Sequence, residues 1–241
     1  MQSVIFKDLG VIDYKTAWDY QEKLLQQNVA VKIELRNDPF KAAKIDTQHY
    51  FLMCEHYPVY TLGKSGNMKN VLMSEEELAA ANIQFFKTNR GGDITFHGPQ
   101  QIVGYPILDL EKIYTDIGKY LRNLEEVVIL TVAEYGIKAG QSEGETGVWI
   151  SPGINGEERK ICAIGVRCSR WITMHGFALN VNTDLDYFKN IIPCGIENKQ
   201  VTSIEKELGR KVNFEEVKEK VKENFKKVFN AAFLMEETET L

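Results

Sequence analysis

The stretch Arg90-Gly91-Gly92-Asp93-Ile94-Thr95-Phe96-His97-Gly98-Pro99 breaks into an otherwise apolar, strand-like part of the chain. Glycine turns the backbone sharply and lets a ligand come close to the N–H groups. A single continuous strand cannot run through it, so extended pieces are expected on either side, at Ile83 to Lys87 and Ile94 to Phe96. Arg90 and His97 bracket the break with polar tips. Taken alone, the segment reads equally as a tight hairpin with a surface Arg and a half-buried His, or as a loop against which a ligand lies.

Around this break, strands and helices mix without strict β-α-β alternation. Val4 to Leu9 reads as a strand, and Asp13 caps a helix expected to end near Gln27. Tyr50 to Cys54 and Val59 to Leu62 are extended on either side of a turn at Pro58. Ser74 and Glu77 have the spacing of a capping box that opens a short helix to Ala81. Ile102 to Leu108 reads as a buried strand. Ile117, Leu121, Leu124, Val128 and Val132 recur at helical spacing towards Gly136, a natural stop. Val148 to Ile150 and Lys160 to Cys168 read as a hairpin joined by Ser151 to Arg159, and Trp171 to Val181 as a further strand. Phe214, Val217, Val221, Phe225 and Val228 mark an amphipathic helix capped by Asn213. The expectation is an α+β protein with a mixed sheet. Residues from about Thr202 onward (about 202–241) read as a small appended helical C-terminal extension.

Composition narrows the function classes. The 241 residues are 44% hydrophobic and 26% charged, which excludes a disordered tail, a fibre and a disulfide miniprotein. The net charge of -5 argues against general nucleic-acid affinity. Met1 to Gly10 carry no basic stretch followed by an apolar run, so no signal peptide is expected, and no window suits a membrane helix. Cys54, Cys162, Cys168 and Cys194 form no CxxC pair, which suits free thiols in a reducing cytoplasm. The four histidines are widely spaced, and no metal site is expected. Gly63-Lys64-Ser65 ends like a phosphate-binding loop, but Pro58 stands where its first Gly belongs, so that motif fails. No GxGxxG follows a strand.

Two residues suggest chemistry. Lys160 opens an apolar strand, where a lysine ordinarily points to water. Cys194 lies between Pro193 and Gly195 on a bend, although most cysteines are small buried hydrophobes. A desolvated lysine can take a thiol proton, so the pair can form a nucleophile and its base if the fold brings them together. Cys162, two residues from Lys160, is expected on the same strand face and so is a rival thiol.

Taken together, several segments resemble the lipoyl(octanoyl) transferase family. They are Glu55 to Gly63, Arg90-Gly91-Gly92 with Thr95 to Gln101, Gly104-Tyr105-Pro106 with Leu108-Asp109-Leu110, Lys160-Ile161, His175 to Val181, and Pro193-Cys194-Gly195. The resemblance implies a fold like the biotin/lipoate protein ligases, an α+β mixed sheet flanked by helices with a smaller second sheet, as a single catalytic domain over 1–241. It implies transfer of an octanoyl group from acyl carrier protein to a lysine on a lipoyl domain, of 2-oxoacid dehydrogenases or of the glycine cleavage H protein. Carried over by motif, Cys194 is the acyl-accepting nucleophile and Lys160 its base. Substrate-binding positions are Arg90, Gly91, Gly92, Asp93, Ile94, Thr95, Phe96 and His97, then Ala163, Ile164 and Gly165, then Gly176, Phe177 and Ala178. At Asp93 the family more often has Gln. No cofactor, nucleic acid or membrane is implied, since a thioester is already activated.

Two other readings remain open on the residues. An ATP-dependent lipoate or biotin ligase shares the fold and the glycine-rich loop, and needs a lysine but no cysteine. A non-catalytic module that binds a carrier protein leaves Cys194 and Lys160 inert. Basic candidates for docking an acidic carrier protein are Lys64, Lys69, Lys87, Arg90, Arg167 and Arg170.

Overall fold

The computed structural model describes residues 1–154, 156–192 and 200–235. Strand β1 (Gln2–Ile12) leads into helix α1 (Tyr14–Asn37), whose first turn is closed by the Asp13 side chain accepting from the Thr16 N–H. The helix runs well past its expected end near Gln27. Tertiary contacts hold the added turns: the Asn28 amide exchanges two 2.8 Å hydrogen bonds with the backbone of Gln48, and Lys32 Nζ donates to Asp109 Oδ1 at 2.8 Å. Strands β2 (His49–His56) and β3 (Val59–Leu62) come after it. Helix α2 (Glu75–Ala80) starts with both halves of the Ser74/Glu77 capping box formed. Strands β4 (Gln84–Lys87), β5 (Ile94–His97) and β6 (Gln101–Ile107) come next.

Helix α3 (Ile117–Ala133) buries Leu124, Val128 and Val132 of the face read from its periodicity, together with Tyr120 and Val127, whereas Ile117 and Leu121 are only partly buried. Strands β7 (Ala139–Gly140), β8 (Val148–Ile150), β9 (Arg159–Ser169), β10 (Ile172–Asn180) and β11 (Gln200–Val201) complete the middle of the chain. Helices α4 (Ile204–Leu208) and α5 (Phe214–Phe229) lead to β12 (Ala231–Met235).

Among the described residues the main sheet has the order β12-β1-β2-β6-β10-β9-β8-β7, with β11 on β9, and a second sheet has the order β4-β3-β5. The main sheet is mixed: β1 is parallel to both β12 and β2, and the ladder from β2 to β7 is antiparallel. Helices α3 and α5 cover one face with Leu124, Val128, Val217, Val221 and Phe225. Helix α1 covers part of the other with Ala17, Leu24 and Leu25. A separate cluster around Tyr60, Phe96 and Ile191 underlies the small sheet. The C-terminal part of the chain joins these elements directly, with α5 in the main core and β12 at the edge of the main sheet. None of the described helices is long and apolar enough to cross a membrane.

The β8–β9 pair carries an irregularity. Val148 faces Cys162 and Trp149 faces Lys160, so Ile161 is an extra residue in a bulge. Neighbouring residues on β8 point to opposite faces, and the bulge therefore separates Lys160 from Cys162. Ile161 and Cys162 both enter the core under α3, while Lys160 stays with Trp149.

Candidate active site

The main and small sheets meet over a cavity of about 390 Å³. Its floor comes from β6 and β10, through Val103, Tyr105, Phe177 and Ala178. One wall is β9, with Lys160, Ala163, Ile164 and Gly165. The opposite wall is the glycine-rich loop and β5, with Arg90, Gly92, Asp93, Ile94, Thr95 and His97. Gly144, Glu145 and Thr146, before β8, edge it beside Lys160.

The walls approach closely where side chains are missing. A Cβ on Gly165 would sit 2.8 Å from the Gly91 carbonyl oxygen across the two walls, and within the floor one on Gly176 would sit 2.1 Å from that of Gly104. Gly91 donates its N–H to the Val166 carbonyl at 2.9 Å, which fastens the loop to β9. These contacts place the glycine-rich break against the strand that carries Lys160, although 70 residues separate Arg90 from Lys160 in the chain.

Arg90 is not the surface residue of the hairpin reading. It is only 7% exposed and donates to the Thr61 carbonyl at 2.5 Å, the Thr61 hydroxyl at 2.9 Å and the Gly91 carbonyl at 2.9 Å. Its place under the loop removes it from any docking surface. The Thr61 hydroxyl oxygen, which accepts from Arg90, lies 3.3 Å from His97 Nε2. His97 Nδ1–H then donates to Gln101 Oε1 at 2.9 Å, and the Gln101 amide donates to Asn180 Oδ1 at 2.8 Å. Burial pushes the proton affinity of His97 well below the ordinary histidine value, which favours the neutral imidazole.

The neighbouring imidazoles are neutral too. His56 Nδ1–H donates to the Ile12 carbonyl at 2.9 Å, and its Nε2 accepts from the Tyr105 hydroxyl at 2.7 Å. His175 Nε2–H donates to Asn89 Oδ1 at 2.7 Å. Burial lowers His56 to about 4 and His175 to about 3. The cavity thus has a polar end whose groups already satisfy one another. Beside it lies the apolar surface of Val103, Ile164, Phe177 and Ala178, which suits a chain that cannot hydrogen-bond.

Lys160 is half-buried, with Nζ 4.5 Å above the centre of the Trp149 ring. Asp93 anchors the loop that faces it: Oδ2 accepts from the Asn70 amide at 2.6 Å, and Oδ1 from its own neighbour Ile94 N–H at 2.7 Å. That is a structural task for a side chain expected to meet substrate.

Most of the expected site residues converge on this cavity, but two do not. Phe96 points the other way and stacks on Tyr187 at 4.5 Å, and Gly91 braces β9 from behind the lining. Cys194 lies outside the described residues, as do Pro193 and Gly195. Of the other thiols, Cys162 and Cys54 are core groups, and burial raises both far above the ordinary thiol value; Cys168 is half-buried, and burial raises it too.

Sequence reasoning missed Tyr14, Gln101, Tyr105, His175 and Asn180 as site residues, and all of them line the cavity. Gln101, Tyr105, His175 and Asn180 sat inside the recognised segments without a role. Tyr14, on the first turn of α1, carried no local signal. Among the described residues no group of His, Cys, Asp and Glu is placed to hold a metal ion.

Comparison with known proteins gives the family. Residues 13–226 match the family model of the lipoyl protein ligase A/B catalytic domain. The octanoyltransferase of Christiangramia forsetii is 58% identical over 95% of this chain and 97% of its own length. That of Flavobacterium psychrophilum is 57% identical over 97% and 99%. Among solved structures, a T. acidophilum protein described as a lipoate protein ligase superposes with a TM-score of 0.68 at 14% identity, covering 100% of this chain and 90% of its own. Lipoate-protein ligase A bound with ATP gives 0.64 at 15%, covering 100% and 91%. The structures share the fold, and the sequences share much more: this chain belongs to the octanoyltransferase family, acyltransferases built on the lipoyl protein ligase A/B catalytic domain.

Proposed function

We propose that this enzyme moves an octanoyl group from an acyl carrier protein to a lysine of a lipoyl domain, through a thioester on Cys194 with Lys160 as the proton carrier. The observation that carries the reading is the placement of Lys160 on the wall of a cavity whose other surface is Val103, Ile164, Phe177 and Ala178. An amine beside an apolar slot is what acyl transfer between a thiol and an amine requires.

Atoms and charges balance at each step. Lys160 takes the Cys194 thiol proton, and the thiolate attacks the donor thioester carbonyl. The C–S bond to the carrier breaks, and the carrier thiol leaves with the proton from the Lys160 ammonium. The acceptor lysine amine then attacks the acyl-enzyme, Lys160 takes its proton, and the Cys194 thiolate leaves. Backbone N–H groups beside Cys194 or on β9 serve the tetrahedral oxyanion. The carrier docks through exposed Lys64, Lys69 and Lys87; Arg167 already pairs with Glu22 at 2.6 Å. The acceptors are lipoyl domains of 2-oxoacid dehydrogenases or the glycine cleavage H protein, and the compartment is the cytoplasm. One catalytic unit spans the chain.

The deciding experiment incubates the enzyme with octanoyl carrier protein and apo lipoyl domain, with and without ATP. Octanoylation of the domain without ATP is expected. A strict need for ATP would shift the assignment to a ligase, and no transfer under either condition would leave a binding module.

A further inference from the structure

His175 stands in the middle of β10 with a left-handed backbone, φ +57°, a conformation uncommon for any residue but glycine. The reason lies across the sheet. Phe177 pairs with Gly104 of β6, and the Thr173 N–H reaches the Leu108 carbonyl at 3.0 Å, so the same register sets His175 opposite Pro106. Proline has no N–H to give to the ladder, and the Pro106 carbonyl accepts from the Thr173 hydroxyl at 2.8 Å. The His175 N–H turns instead to Gln21 Oε1 on α1, at 2.9 Å. Its imidazole lies beside Trp18, with ring centres 6.1 Å apart, and Nε2–H donates to Asn89 Oδ1 at 2.7 Å.

The two residues joined by that bond each stand next to a lining residue of the cavity: Asn89 precedes Arg90, and His175 precedes Gly176. On β9 the partner of His175 is Val166, whose carbonyl accepts the Gly91 N–H at 2.9 Å. One cross-strand pair therefore grips the glycine-rich loop twice, at Asn89 through a ring and at Gly91 through a carbonyl. We propose that His175 is the positioning residue of the glycine-rich loop: the left-handed turn opposite Pro106 gives its ring to Asn89, and this clasp holds the loop wall of the cavity against the floor. The inference rests on the cavity being the acyl-transfer site. A strained residue persists where its surroundings fix it, and here Gln21, Trp18 and Asn89 do so from three sides.

The first test is hydrogen exchange of the ligand-free enzyme, read on the peptide that covers 88–98. His175→Gly keeps the left-handed backbone and removes the ring. Asn89→Leu keeps the side-chain shape and removes the acceptor, and Asn89→Asp keeps an acceptor. Exchange in the loop is expected to be about 3- to 10-fold faster in His175→Gly and in Asn89→Leu, the worth of one neutral hydrogen bond. It should stay at the wild-type rate in Asn89→Asp and in the peptides of α3 and α5. The double variant should exchange no faster than the faster single one, because both remove the same bond. Unmoved loop exchange, additive effects, or an equal rise in α3 and α5 overturns the proposal. If His175→Gly does not fold, Asn89→Leu reads the same clasp from a half-buried loop residue. The second test is steady-state transfer from octanoyl carrier protein to apo lipoyl domain. The clasp holds the loop alike in the ground and transition states, so KM for the donor should rise by the same factor with kcat unchanged. A fall in kcat at unchanged KM overturns the positioning role. A wild-type enzyme that transfers nothing defeats the reading of the cavity, whereas wild-type transfer with unmoved loop exchange defeats only the role of His175.

Discussion

At Lys160 the local strand and the bulge do different work. The apolar run Ile161 to Val166 makes a strand of this segment, but the bulge at Ile161 decides that Lys160 faces the cavity and Cys162 the core. Spacing by two residues predicts one shared face, and the extra residue cancels that rule. Cys162 is thereby removed as a competitor, because it is 0% exposed and burial disfavours its thiolate. Lys160→Ala is expected to slow both half-reactions on the order of 10²–10⁴-fold, the usual cost of a lost general base. Lys160→Arg should not restore them, since a guanidinium does not surrender a proton at working pH. In peptide mapping after exposure to donor alone, Cys162→Ala should still carry one octanoyl group and Cys194→Ala none. An adduct that depends on Cys162 would contradict the scheme.

At the scale of elements, the cavity floor is the pairing of β6 with β10, where Gly104 and Gly176 leave no room for a side chain of their own. Gly104 pairs with Phe177 in the antiparallel ladder, and Gly176 lies over the Gly104 carbonyl. The obstacle at Gly176 is backbone and cannot rotate away. Gly176→Ala should therefore cost roughly 3 kcal/mol, the upper part of the range for overpacking a core. A lowered urea midpoint with an unchanged slope would register it. A stability equal to wild type would show that the strands can separate at little cost. Sequence periodicity located most of these elements, because the capping box at Ser74, the repeat from Ile117 and the hairpin after Val148 are local signals. It did not find β12, whose ladder to β1 joins the two ends of the chain.

Across the whole molecule, four buried histidines are held neutral: His49 and His56 near 4, His175 near 3, and His97 well below its ordinary value, all mainly through burial. Each titrates near 6.5 in an unfolded chain, so the unfolded state binds more protons below that pH. Stability is complete above about pH 6.5 and is lost as the pH falls towards 4, at about 1.4 kcal/mol per pH unit for each histidine. Urea midpoints taken between pH 7.5 and 4.5 should fall steeply in that window. A flat profile would show that these imidazoles accept protons without loss of the fold.

The sequence by itself determined the α+β character, most helix and strand positions, and the residue types of an acyl-transfer site, because caps, periodicity and glycine-rich turns act within a few residues. Ordered motifs from Glu55 to Gly195 were enough to suggest the family. Only the tertiary structure decided that Arg90 is buried, that Phe96 turns from the cavity while Tyr14 enters it, and that Asp93 ties down a loop. Those outcomes depend on which surfaces two sheets bring together. That contact is made between residues far apart in the chain, and the energy of burying a guanidinium or a ring is set there rather than by its neighbours in sequence.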